Sequence, residues 1–306
     1  MLMLYVRLSY CIPSILLYIT VVVLLYKEKQ RLFKSFYFLL IVQAVINIVV
    51  FTNSFYLVQL ANESTENSWW SVIYTNAPEI VIRISSCLGM HFAFVQIYMT
   101  FFISLNRMTF IIRSRMEESI WTVAAPICAA IACLSPFAAT YPYLTNKTSW
   151  IFVPEMRCFF VNTEANVRRI WKVLFIFLCV LLSLSSAVNI ISVVSLCKRK
   201  HVRSHHMERS MLFLALLNFL IECSYFVIVG LIYISKYIGI DASVSQALIP
   251  YASDVMTLST PYLITALNRN VRTRLFGLFN RCKMTSSLGS PAVGKRCSDA
   301  RTMTVT

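Results

Sequence analysis

Seven apolar stretches constrain this chain more than any other feature, because each is long enough to cross a membrane as one helix. They run 8–26, 35–60, 84–112, 120–141, 170–197, 210–234 and 244–267. A helix needs ~20 mainly apolar residues to span ~30 Å of hydrocarbon. In lipid only helices and closed barrels satisfy their own backbone groups, and continuous runs of this length are helices. The expected fold is therefore all-α, a seven-transmembrane helix bundle over residues 1–283 with a flexible cytoplasmic tail at 284–306. An odd number of crossings places the two termini on opposite faces, so one face can receive a signal that the other transmits.

Only 13% of the residues are charged and 58% are hydrophobic. Soluble domains average about 25% charged residues, so the chain reads as a membrane protein. No loop is long enough to fold as a separate domain. The first stretch follows Arg7 and is followed directly by Lys27, Lys29, Arg31 and Lys34. A cleaved signal peptide has a shorter apolar core, so this stretch reads as a first transmembrane anchor.

The formal net charge is +15, which by itself would suit nucleic acid, but its distribution points to a membrane. Twenty of the 28 Lys and Arg lie at or after the ends of helices one, three, five and seven, Arg107 among them. The positive-inside rule makes that face cytoplasmic and leaves the N-terminus outside. The clusters at 198–209, which include Arg203, and at 269–283 then face the lipid bilayer's anionic inner leaflet and any cytosolic partner. Two glycosylation sequons, Asn62-Glu-Ser64 and Asn146-Lys-Thr148, fall in segments assigned outside by the charge count.

Most of the ten cysteines lie within the apolar stretches, where a free thiol is a small apolar group. Cys87 and Cys158 are the candidates for a disulfide, which would tie the second outer loop over the mouth of the bundle. The competing reading leaves Cys87 a turn inside the membrane. Cys282 is a candidate for palmitoylation or a free thiol.

Two acids are the deepest charges in the chain, Glu222 in helix six and Asp254 in helix seven. A carboxylate at the bilayer centre costs ~2.5–3.5 kcal/mol on insertion scales and is kept where it faces the bundle. Asn218 lies one turn from Glu222 and shares its face. In helix three, His91 and Gln96 are not a clean helical pair, so at most one of them points fully inward. Asp254, Glu222, Asn218 and His91 are the candidate ligand-pocket residues, with interhelical hydrogen bonding as the alternative role for each.

Local signatures narrow the reading further. Tyr10-Cys-Ile-Pro-Ser14 opens helix one, Ser104-Leu-Asn-Arg-Met108 ends helix three, and Ser259-Thr-Pro-Tyr-Leu263 ends helix seven. With the seven-span layout, these resemble the nematode serpentine chemoreceptors of class gamma, within the G-protein-coupled receptor superfamily. The resemblance covers nearly the whole chain. It implies an external small-molecule ligand, a heterotrimeric G-protein partner and a plasma-membrane location in sensory neurons. It also implies coupling roles for Arg107, its neighbour Asn106, the switch tyrosine Tyr262 and Arg203 in the third inner loop. Residues 268–279 suit an amphipathic eighth helix on the inner leaflet. The chain departs from the rhodopsin-like pattern in three places. Asn106 stands where an acid would precede the arginine, helix two has no Asp, and helix six has no proline.

Other classes fit less well. No zinc-protease, nucleophile-elbow or Gly-x-Gly-Asp motif occurs, so no enzyme, metal or cofactor is expected. A seven-helix ligand-gated channel or transporter is the alternative, but inverted repeats and paired broken helices are not evident.

Overall fold

The computed structural model describes residues 2–28, 34–113, 117–154, 157–198, 205–238, 242–269 and 271–277. Among them, the long helices are α1 (Leu2–Glu28), α2 (Lys34–Ser54), α3 (Glu79–Ile112), α4 (Glu117–Leu134), α5 (Val167–Lys198), α6 (His205–Ile238) and α7 (Ala242–Leu267). One apolar core joins α1, α2, α3, α4, α6 and α7, with Phe36, Leu39, Val95, Met99 and Ile264 fully buried. A second joins α3, α5 and α6 around Phe94, Leu174, Leu178 and Val229. The outer faces remain apolar. Ile12, Leu16, Ile19 and Val23 form an exposed stripe on α1, and Ile120, Val123, Ile127 and Ile131 form one on α4. Stripes of this kind are liabilities in water but are solvated by lipid tails.

Among the described residues, six helices are long and apolar enough to cross a membrane. The sequence predicts seven spans, and α7 is the long helix not among these six. Its 26 residues are long enough, at ~1.5 Å rise each. Its composition is too polar, with Ser253, Asp254, Thr257, Ser259 and Thr260 between Pro250 and Pro261. Much of that polarity is turned inward, since Asp254, Thr257 and Thr260 are buried. Packing among α1, α2 and α6 shields it, so it needs less apolar surface than its neighbours.

α2 does not stop at Ser54. It continues through a π-helical turn, Phe55–Leu60, into a last turn, Ala61–Glu63. A π-turn accommodates about one extra residue. In an unbroken α-helix Gln59, twelve positions after Asn47, would point ~120° away from it. The extra residue restores Gln59 to the inward face, where it is completely buried.

The all-α expectation also needs correction. Strands β1 (Thr148–Val153) and β2 (Cys158–Thr163) form an antiparallel hairpin, with Trp150 opposite Val161 and Phe152 opposite Phe159. The hairpin seats Phe159 on Tyr74, at 5.2 Å between ring centroids, and Trp150 against Tyr56 and Tyr74. α4 ends at Leu134 rather than near 141, at Ser135-Pro136, where the proline ring disfavours helical backbone at Ser135 and removes an N–H. Short turns at Phe137–Thr140 and Pro142–Thr145 lead into the hairpin. At the opposite end of the bundle, residues 271–277 are helical, with Val271 and Leu275 buried in the first core and Phe276 exposed. The remainder of the expected eighth helix, Arg203, Cys282 and the tail at 284–306 lie outside the described residues.

Candidate functional site

Three polar centres lie along the bundle. The first surrounds Asp254 near the hairpin end. Its Oδ2 accepts a hydrogen bond from the Tyr10 hydroxyl at 2.7 Å, and its Oδ1 accepts one from Gln59 Nε2 at 2.7 Å. Each carboxylate oxygen therefore has a donor from a different helix, which offsets the cost of a side chain only 4% exposed. The π-turn is what delivers Gln59. Arg7 lies one turn before Tyr10, is 7% exposed, and holds its guanidinium 4.8 Å from the Tyr251 ring centroid. Sequence reasoning missed Arg7, Tyr10 and Gln59. Asp254 therefore faces α1 and α2, not the α3 and α6 positions of the other pocket candidates, His91, Asn218 and Glu222.

The second centre is deeper. Asn47 donates to the Tyr18 hydroxyl and accepts from Gln96 Nε2, both at 2.8 Å, which links α1, α2 and α3. Asn218 and Glu222 line a cavity of ≈ 10 Å³ together with Gln43, Asn47, Gln96 and Thr260. They share one face, as their spacing predicts. Neither Glu222 oxygen makes a hydrogen bond, nor do Asn218 Nδ2 and Gln43 Oε1. The space suits a group no larger than a water molecule, which needs about 10–15 Å³. An organic ligand does not fit there.

His91 belongs to neither centre. Its ring nitrogens lie 3.3 Å from Thr140 Oγ1 and 3.0 Å from the Cys133 carbonyl oxygen, and the ring packs on Phe137 at 4.1 Å. It braces the broken end of α4. Five residues separate it from Gln96, or ~140° around the helix, so the two face different neighbours.

The third centre closes the end away from the hairpin. Arg107 is 2% exposed, with its Cζ 3.2 Å from the Phe36 ring centroid and 5.7 Å from that of Phe110. Asn106 is fully buried and donates to Ser35 Oγ at 3.4 Å. Ser35 in turn donates its backbone N–H and its hydroxyl to the two oxygens of Glu118, at 3.0 and 3.2 Å. Trp121 Nε1 donates to Thr109 Oγ1, which donates to the Asn106 carbonyl. A carboxylate thus reaches Asn106 through Ser35 from α4, although no acid precedes Arg107 in sequence. Sequence reasoning missed Glu118.

The family whose description is Srg family chemoreceptor matches this chain over residues 4–275. The chain belongs to that family. It is 25% identical to serpentine receptor class gamma-31 of Caenorhabditis elegans over 206 residues, 66% of each chain. It is 21% identical to serpentine receptor class gamma-2 of the same organism over 295 residues, 92% of this chain and 86% of that one. All three polar centres fall within the family match. With its apolar helices, membership makes this a multi-pass membrane chemoreceptor.

Other expected residues take different places in this family member. Cys87 and Cys158 are both free and buried, so the expected bridge is not formed. The Cys87 thiol donates to the Thr140 carbonyl at 3.6 Å and packs with Tyr143, Ala165 and Ile170. Cys158 starts β2 opposite Val153. Burial pushes its thiol up, which leaves it a poor nucleophile. Tyr262 is half-exposed, and its hydroxyl lies 2.8 Å from the buried Ser14 Oγ, so it joins α7 to α1. Asn62 is exposed. Asn146 is partly buried and donates to the Pro142 carbonyl at 2.7 Å.

Proposed function

We propose that this chain is a seven-span chemosensory receptor of the plasma membrane of sensory neurons, with its N-terminus outside. An external small molecule acts at the hairpin end, near Asp254, and the opposite end couples to a heterotrimeric G protein. The observation that carries this reading is the burial of Arg107 under Phe36. A cation at the cytoplasmic end of a chemoreceptor helix has water within reach, yet here it is covered by an aromatic ring and flanked by the Asn106–Ser35–Glu118 chain. In this reading the arrangement is a closed state, with a distinct open alternative. A ligand shifts such an equilibrium only through its different affinities for the two states. The Asp254 centre supplies a sensor, because its bonds join α1, α2 and α7, and a ligand that competes for them moves those helices. The α2 contact continues inward to Phe36, and the Glu222 cavity lies between the two ends.

The test is a cell reporter of G-protein activation, exposed to pooled nematode-secreted metabolites, with surface expression verified. A dose-dependent response confined to cells that carry the receptor supports the reading. A ligand-dependent current that survives G-protein blockade contradicts it in favour of a channel.

A further inference from the structure

A groove of ≈ 530 Å³ runs between α1 and the helical segment at 271–277, lined by Ile19, Thr20, Val23, Leu24, Lys27, Arg274 and Gly277. Its size falls within the ~300–1,000 Å³ of small-molecule sites. We infer that it binds one anionic phospholipid of the cytoplasmic leaflet, with an acyl chain along α1 and the headgroup phosphate between Lys27 and Arg274. This rests on the proposed orientation of the chain, but not on its ligand or its G protein.

The groove is polar at one end only. Ile19, Val23 and Lys27 are spaced four residues apart, so they form one stripe that rises ~12 Å along the helix. Thr20 adds little polarity to this wall, because its hydroxyl donates to the Leu16 carbonyl at 2.8 Å. Ile19 and Val23 are about half exposed, and Lys27 lies in the last turn of α1. The stripe therefore passes from hydrocarbon to charge, as a lipid does.

The second wall is held in place. Val271 and Leu275 are buried in the main core, which anchors the segment and turns Arg274 and Gly277 to the groove. Arg272 donates to the Ala266 carbonyl at the end of α7 at 2.7 Å, which fixes the start of the segment. The space beside Gly277 is open, since a Cβ there would meet nothing within 4 Å. Among the described residues the groove is lined by two cations and no acid, and basic residues beside the inner leaflet attract anionic lipid. The chain's own tail is an ill-suited occupant. Residues 278–306 carry Arg281, Lys283, Lys295, Arg296 and Arg301 against Asp299 alone, so they share the sign of the groove.

The experiment is native mass spectrometry of the full chain purified in neutral detergent. The protein is mixed with dioleoyl-phosphatidylserine or dioleoyl-phosphatidylcholine at equal concentration. The expected result is one retained phosphatidylserine, favoured several-fold over phosphatidylcholine. Lys27→Ala/Arg274→Ala abolishes the preference, Lys27→Arg preserves it, and Thr20→Trp, which fills the apolar wall, reduces retention with both cations intact. Each variant is read only as a monodisperse, helical preparation, and Lys27→Arg with Thr20→Trp carry the test if the double variant does not fold. Equal retention of both lipids, or an unchanged preference in the double variant, overturns the inference. So does full competition by glycerophosphorylserine, which has the headgroup without chains and would reduce the site to a phosphate subsite.

Discussion

Glu118 on α4 accepts both the backbone N–H and the hydroxyl of Ser35 in the first turn of α2, at 3.0 and 3.2 Å. The first N–H groups of a helix have no partner within it. An acid from another helix fills that role here, and the hydroxyl it orients also receives Asn106. The closed end of the bundle is therefore fastened across three helices beside Arg107.

Glu118→Ala is expected to destabilise the receptor by about 1 kcal/mol, the usual loss for a removed helix cap, and to raise basal signalling several-fold. Ser35→Ala, which keeps the backbone N–H bond to Glu118 and loses the hydroxyl contacts, should act in the same direction with a smaller effect, and adding it to Glu118→Ala should cost less than it does alone. Thermal melting with a ligand-free reporter measures both effects. Fully additive effects would show that the two residues act independently.

The Asp254 centre makes a sharper energetic prediction. Tyr10→Phe and Gln59→Leu each remove one donor from a buried carboxylate, at about 1.5–3 kcal/mol for a hydrogen bond to a charged group. In the Asp254→Asn background both substitutions should cost less, with a coupling of about 0.5–3 kcal/mol in double-mutant cycles. Absence of coupling in both cycles would remove Asp254 as the hub of these contacts.

Much of the fold is legible in the sequence because lipid imposes one dominant rule, about twenty apolar residues per crossing. The positions of α1 to α6 follow from it. Rotation about each helix axis does not, since it depends on which helices are neighbours. That is why Asp254 is recognisable as a deep acid while its partners Tyr10 and Gln59 are not. It is also why His91 faces the end of α4 and Tyr262 meets Ser14. Glu118 sits at a helix end, where an acid is unremarkable until Ser35, 83 positions away, is brought beside it. The hairpin strands, Thr148–Val153 and Cys158–Thr163, are short enough to pass for a connecting loop.

The π-turn offers a test of register. Deleting Val58 removes a residue of the turn, returns α2 to regular helix and leaves Gln59 facing Asp254. Surface expression should persist. Deleting Val50, in the regular part of α2, rotates one side of the helix by ~100° against the other and should abolish expression. Equal loss in both, measured by surface labelling, would contradict the register argument.

Orientation is tested by glycans. With the N-terminus outside, Asn62→Gln and Asn146→Gln should each remove at most one glycan, and the double variant should be insensitive to glycosidase. Exposed Asn62 is expected to be the more fully modified site. A glycan mapped to an asparagine introduced between 198 and 209 would invert the topology.

The most direct measurement is agonist-dependent nucleotide exchange on G protein in membranes carrying wild-type receptor or Arg107→Ala at matched surface density. Arg107 is the buried cation whose release would define the proposed open state. The expected result is exchange that rises with agonist in the wild type and is lost in Arg107→Ala, with agonist binding retained. Equal agonist-dependent exchange in both would contradict coupling through Arg107.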